Sequence, residues 1–233
     1  MSLNEKAKNF CSELGVSIEA VESRLRGVGE YHAQRYFSPA LHDPNEPAPP
    51  HYTGFYFAAV SLVLESAKNI LEIGMGVGRS THLLSLLFPN AMVYTLDIPP
   101  SDKEYRTDAY VGSKGEVTKK NLSRPNIRLI RSNSFFLPSL ALPEEFELIF
   151  VDGGHYFPVV AWDVMFAYGR IKEGGFVLID DYSNKVPACL CPDVGKTVDY
   201  VGERIDETIK FLPCRSDERT GTIAWFRKGE VKK

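Results

Sequence analysis

The residues of this chain with chemical potential stand just beyond its apolar runs. Gly74, Gly76 and Gly78 follow Ile70-Leu71-Glu72-Ile73. Lacking side chains, they let a ligand lie against the backbone, and the helix start at Ser80 offers free N–H groups. Asp97 closes the run 91–97 and lies 21 residues after Gly76. In nucleotide-binding α/β folds an acid there accepts hydrogen bonds from two ribose hydroxyls at once. Asn133 follows the run 127–131, Asp152 and His155 follow 146–151, and Asp180-Asp181 follow 176–179. The set amounts to a nucleotide-binding corner beside a group of acids and one imidazole. Imidazole titrates near neutrality and can therefore move a proton.

The elements that must position these residues follow from the pattern. Strands are expected at 70–73, 91–97, 127–131, 146–151 and 176–179. Two more, 209–213 and 222–227, flank a hairpin loop, Asp217-Glu218-Arg219-Thr220-Gly221. Helices are expected at 80–88, stopped by Pro89-Asn90, and from Pro158 through Arg170. Asp193 is placed to cap a further helix through about Thr208. An apolar helix over 54–67 leads into the first strand. Residues 4–30 read as helical, with Ser17 as a cap, and this segment can cover the site, build an oligomer contact or simply pack. Prolines make 36–53 a loop that carries His42 and His51, and a substrate lid and a surface connection both stay open. Residues 98–124 read as an irregular insertion beside the ligand site, where Lys114, Lys119 and Lys120 could meet an anion or form a solvated face. Parallel βα units put their strand ends, and the residues above, along one edge of a sheet.

The totals bound the answer. With 233 residues and 44% hydrophobic composition, the chain can build one large core. A net charge of −3 does not favour a nucleic-acid backbone as partner. No apolar run reaches membrane-spanning length, and the polar N-terminus lacks a signal-peptide core, so a cytoplasmic protein is expected. Cys11, Cys189, Cys191 and Cys214 form no zinc or disulfide framework and read as reduced structural thiols.

The pattern Glu72-x-Gly74-x-Gly76-x-Gly78 is not the dinucleotide fingerprint, which would need glycine at Arg79. It resembles the first motif of class I S-adenosylmethionine (SAM) dependent methyltransferases. Asp152-Gly153-Gly154-His155-Tyr156 and Gly174-Gly175-Phe176-Val177-Leu178-Ile179-Asp180-Asp181 resemble the small-molecule O-methyltransferases of sugar, antibiotic and catechol type, with Asp-Gly-x-His after strand four. The resemblance covers roughly residues 55–227. It implies an α/β, Rossmann-like, doubly wound seven-stranded sheet. The sheet would be mostly parallel, with a C-terminal antiparallel hairpin strand and helices on both faces. Residues 1–53 would be an N-terminal helical extension and lid, and 54–233 a SAM-binding catalytic domain with an insertion at 98–124.

The resemblance also implies roles. SAM would contact Glu72, Gly74, Gly76, Gly78, Ser80, Asp97, Asn133 and Asp152. Many relatives carry an acid at the place of Asn133 to meet the adenine amino group, and an asparagine oxygen can accept that bond too. A divalent ion, Mg2+ or Ca2+, would sit on Asp152, Asp180 and Asp181, where Asp181 replaces the family's asparagine. Three carboxylates suit a hard ion, which lowers the pKa of a bound hydroxyl. Successive strand residues point oppositely, so Asp180 and Asp181 can share an ion only where the strand has ended. His155 is the first candidate for a base, with Asp152 beside it. His51 is a second candidate, His82 reads as structural, and His32 has no assigned role.

The expected activity is methyl transfer from SAM to a small-molecule acceptor, most naturally at a hydroxyl oxygen. One alternative is an NAD-dependent oxidoreductase on a similar sheet, opposed by Arg79 and the terminal hairpin. Another is a non-catalytic ligand-binding member of the fold. An Asn-Pro-Pro-Tyr type motif after strand four, the mark of a nucleic-acid methyltransferase, is absent. A homodimer is left open.

Overall fold

The computed structural model describes residues 5–29, 52–99, 101–102, 114–182, 192–213 and 222–229. His32, His42, His51, Cys189, Cys191, Cys214 and the loop 217–221 lie outside the described residues, as does the proposed lid apart from Tyr52 and Thr53.

Seven strands form one sheet: β1 (Asn69–Ile73), β2 (Met92–Asp97), β3 (Ile127–Arg131), β4 (Phe146–Val151), β5 (Ile171–Ile179), β6 (Lys210–Pro213) and β7 (Thr222–Arg227). Their order is β3-β2-β1-β4-β5-β7-β6. The pairs from β3 through β5 are parallel, and β7 runs antiparallel to both its neighbours. The expected mixed sheet with a terminal antiparallel hairpin is therefore what the chain forms.

Strands covered on both faces read as continuous apolar runs, and here alternate residues serve two cores. Ile70, Leu148, Phe150, Phe176, Leu178 and Trp225 face one side. Leu71, Ile73, Ile149, Val151, Val177, Ile179 and Phe226 face the other. The first side is covered by α1 (Glu5–Leu14), α2 (Ile18–Gly27), α3 (Thr53–Val63) and α4 (Arg79–Leu87). The second is covered by a 3-10 turn (Ser134–Ser139), α6 (Val159–Arg170) and α7 (Pro192–Gly202).

Several boundaries depart from the sequence reading. The N-terminal helical segment breaks at Gly15, where φ is +70°, and Ser17 caps the second helix by accepting the Ala20 N–H at 3.1 Å. Both helices pack on the common core. Phe10 lies edge-on to Tyr56 and Trp225, and the Tyr56 hydroxyl donates to the Pro213 carbonyl. Cys11 is a buried free thiol whose pKa burial pushes up to about 11, in keeping with a structural role. The 98–124 segment is not wholly irregular, because α5 (Lys114–Asn121) forms within it. β5 begins at Ile171, ahead of the expected start at 176, and so takes in Glu173-Gly174-Gly175. Asp193 does not cap α7. It sits inside the first turn, where its carboxylate accepts the Phe157 N–H, and the helix ends at Gly202.

Candidate active site

Backbone pairing continues one residue beyond the strands. The Gly74 N–H donates to Leu96, Asp152 to Ile73, Asp180 to Val151 and Ser132 to Asp97, all at 2.8–3.0 Å. The residues expected to act are thereby held along one edge at the carboxyl ends of the strands. Gly74 crosses that edge with φ +96°, and a Cβ there would fall 1.9 Å from the Asp152 carbonyl oxygen. Only glycine allows the β1 and β4 loops to approach so closely. Gly78, at φ +75°, caps α4 and starts the helix.

Glu72 lies beneath this loop. Its side chain is fully buried, and one carboxylate oxygen accepts the hydroxyls of Thr81 on α4 and Thr95 on β2, the latter at 2.5 Å. Ser80 also bonds to it. Burial pushes its pKa up to about 7 against the lowering effect of these three hydroxyls. Its other oxygen has no partner among the described residues. Glu72 and Ser80 were expected at the ligand. Through its two threonine bonds Glu72 also braces the corner formed by β1, β2 and α4.

Asp97 ends β2. It accepts the Ile98 N–H at 2.8 Å and faces Arg131 at 3.6 Å. Its pKa is raised because burial outweighs the help of Arg131 and of the Ile98 and Gly76 amides. Asn133 caps the 3-10 turn, its side-chain oxygen accepting the Phe135 N–H at 3.0 Å.

The β4 and β5 loops meet at His155. Its Nε2 is 3.5 Å from Asp152 Oδ1 and its Nδ1 is 3.6 Å from Asp181 Oδ2. The Asp152 carboxylate beside it does most to raise the imidazole pKa, and the charges of Asp181 and Asp180 add to this against desolvation. Burial raises the Asp152 pKa, partly offset by His155. Asp181 turns out of the strand with φ +57°, a left-handed conformation that aspartate tolerates better than most residues. Asp152, His155 and Asp181 offer ligand atoms all within 4.8 Å of one another, in a group that lacks Asp180. Asp180 instead accepts the Asp181 N–H on its own Oδ1. The group thus includes His155, which the expected metal set of Asp152, Asp180 and Asp181 did not name.

Residues 71–182, just under half of the chain, match the Methyltransf_24 family, whose description is methyltransferase domain. Among solved structures, a candidate O-methyltransferase from Klebsiella pneumoniae superposes with TM-score 0.60 at 19% identity, covering 91% of this chain and 90% of that one. The Bacillus cereus O-methyltransferase in complex with S-adenosylhomocysteine (SAH) gives 0.57 at 17%, covering 90% and 91%. The O-methyltransferase TomG from Streptomyces achromogenes, in complex with SAM, gives 0.56 at 19% and covers 97% of both chains. The fold is that of the methyltransferases. No curated protein matches the sequence.

The family match indicates a methyltransferase domain, and the strand-end residues of this fold suit a nucleoside ligand. A glycine corner opens onto a helix N-terminus, Asp97 offers a carboxylate kept partly exposed, and Asn133 keeps an oxygen lone pair for a second donor. The Asp-His-Asp group suits a divalent ion with mixed oxygen and nitrogen ligands.

Four contributors escaped the sequence reading. Thr95 is the β-ladder partner of Glu72, and Arg131 that of Asp97. Once the strands are aligned, both pairs could have been found. Asn121, at the end of α5, lies inside a segment read as irregular. Asp163 on α6 is fully buried, near Ser134 and beneath Gly153, where a Cβ would come 3.0 Å from its Oδ2. Desolvation pushes its pKa up to about 7, and the Ser134 hydroxyl opposes that rise. A lone acid on an otherwise apolar helical face was its only signal.

Proposed function

We propose that this chain transfers a methyl group from SAM to a hydroxyl oxygen of a small-molecule acceptor, with His155 as general base. The carrying observation is the imidazole held between Asp152 and Asp181, on the same sheet edge as the glycine corner. The glycine loop and the first turn of α4 would bind the ligand's polar end. Asp97 would take the ribose hydroxyls, and Asn133 the adenine amino group. The bound sulfonium supplies the methyl group. His155 accepts the acceptor's proton as the oxygen forms its bond to that carbon and the carbon–sulfur bond breaks, leaving SAH. Asp152 and Asp181 orient the ring and stabilise the imidazolium. Alignment and exclusion of water supply the rest of the acceleration. The O-methyltransferase neighbours, one with SAM and one with SAH, support oxygen as acceptor atom and SAM as donor.

A second reading rests on the 4.8 Å cluster. In it Asp152, His155 and Asp181 would hold Mg2+ or Ca2+, and the ion would supply the acidity that activates the hydroxyl. A histidine bound to metal is no longer a free base, so the two readings exclude each other at His155.

Titration calorimetry with SAM, SAH and NAD tests the reading. Micromolar binding of SAM and SAH without NAD is expected. Binding of NAD alone would return the chain to the oxidoreductases. SAH formation with a panel of hydroxylated acceptors then separates an enzyme from a binding protein.

A further inference from the structure

Helix α5 closes on the glycine corner from outside, through one residue. The Asn121 side-chain amide donates to the Val77 carbonyl at 2.9 Å. The Asn121 backbone carbonyl lies 2.9 Å from His82 Nδ1, and because a carbonyl can only accept, the imidazole donates there. Val77 lies just before α4, and His82 lies in its first turn. Asn121 therefore holds both sides of the loop-to-helix corner. The packing is as close as the hydrogen bonding. A Cβ on Gly78 would come 3.1 Å from Leu122 Cδ2 and 3.4 Å from Asn121 Cβ.

We propose that Asn121 is a positioning residue for the ligand-binding glycine loop, and that α5 serves as its external clamp with His82 as the second anchor. The inference rests on the SAM-binding reading above and gives a task to the segment between β2 and β3. A five-residue loop with positive-φ glycines loses much backbone entropy when it orders around a ligand. A loop already fixed from behind loses less, and the difference appears as affinity. The carbonyls at the end of α5 would otherwise lack partners, and the His82 N–H satisfies one of them.

The test uses the full chain with SAH as probe. Asn121→Ala should weaken SAH binding about tenfold in calorimetry, the effect of one lost part-buried hydrogen bond plus lost preorganisation. Asn121→Asp keeps the size but turns an acceptor toward the Val77 carbonyl, so it should bind as poorly as alanine. His82→Ala should act in the same direction. Hydrogen exchange in the unliganded protein supplies a readout independent of SAH. The amides of Val77 to Arg79 should lose protection in Asn121→Ala while those of β4 and β5 keep theirs. Wild-type affinity in both Asn121 variants would overturn the clamp, as would unchanged exchange at the loop. If the wild-type chain fails to bind SAH while the loop amides still respond to Asn121→Ala, the clamp stands and the SAM reading falls.

Discussion

The His155 imidazole stands 3.5 Å from the Asp152 carboxylate at the end of β4, on the same short loop. A base so held should be essential to turnover and unimportant for binding. His155→Ala should cut the rate of methyl transfer about 10²–10⁴-fold, with SAH affinity little changed. The pH profile carries the sign. The base works when neutral, and its carboxylate neighbours raise its pKa, so activity should climb with pH through a point above histidine's ordinary value. Asp181→Asn removes one raising charge and should move that limb to lower pH. A limb that stays put would detach His155 from the rate.

Asp97 accepts backbone hydrogen bonds and faces Arg131, leaving a carboxylate edge for ribose. Asp97→Ala should weaken SAM about 10–100-fold, the range for hydrogen bonds to a charged group. The helical and strand signal in circular dichroism should be unchanged. Unaltered affinity by calorimetry would remove Asp97 from the site.

Gly74 admits no side chain. Its φ of +96° strains any other residue, and a Cβ would overlap the Asp152 carbonyl. Gly74→Ala should cost at least about 2 kcal/mol of stability and separate the β1 and β4 loops. Chemical denaturation measures the first, and loss of SAH binding reports the second. A variant as stable as wild type would contradict the close approach.

Asp163 makes stability depend on pH. Its pKa is about 7 in the fold against an ordinary value near 4 for an unfolded chain. The folded state therefore binds more protons between those values. The group's favourable contribution is complete below about pH 4 and is lost as pH rises through about 7. Asp163→Asn removes this dependence. Its melting temperature relative to wild type should improve from pH 5 to pH 8, by a few degrees. Glu72 changes the same way in both proteins and cancels in the difference. A gap that does not widen would mean that Asp163 has a partner for its charge.

Chelation separates the two readings of the acidic cluster. With His155 as a free base, turnover should survive EDTA dialysis. With an ion on Asp152, His155 and Asp181, turnover should vanish and return with added Mg2+ or Ca2+.

The sheet could be read from the sequence because both of its faces are buried. Runs such as Phe176-Val177-Leu178-Ile179 carry no polar interruption and mark themselves. The glycine corner was equally plain, since its spacing reflects backbone geometry rather than packing. What stayed hidden depends on contacts between distant segments. The bond between Glu72 and Thr95 shows only once strand register places the two side by side. The grouping of Asp181 with Asp152 and His155 depends on where β5 ends and how Asp181 bends, which two adjacent aspartates do not reveal. Helix α5 has no apolar stripe, so periodicity gave no sign of it, and with it Asn121 was missed.

The placement of β7 bears on how the chain is made. It is synthesised after β6 yet lies inside the sheet, between β5 and β6. On the ribosome, β5 therefore presents a bare, apolar edge until Arg227 has been added. At cellular rates of translation that interval lasts several seconds, during which the unpaired edge is open to other strands. Phe10, made near the start, waits throughout for Trp225 to complete its packing. A nascent chain of this design would gain from chaperone cover between the synthesis of β5 and that of β7.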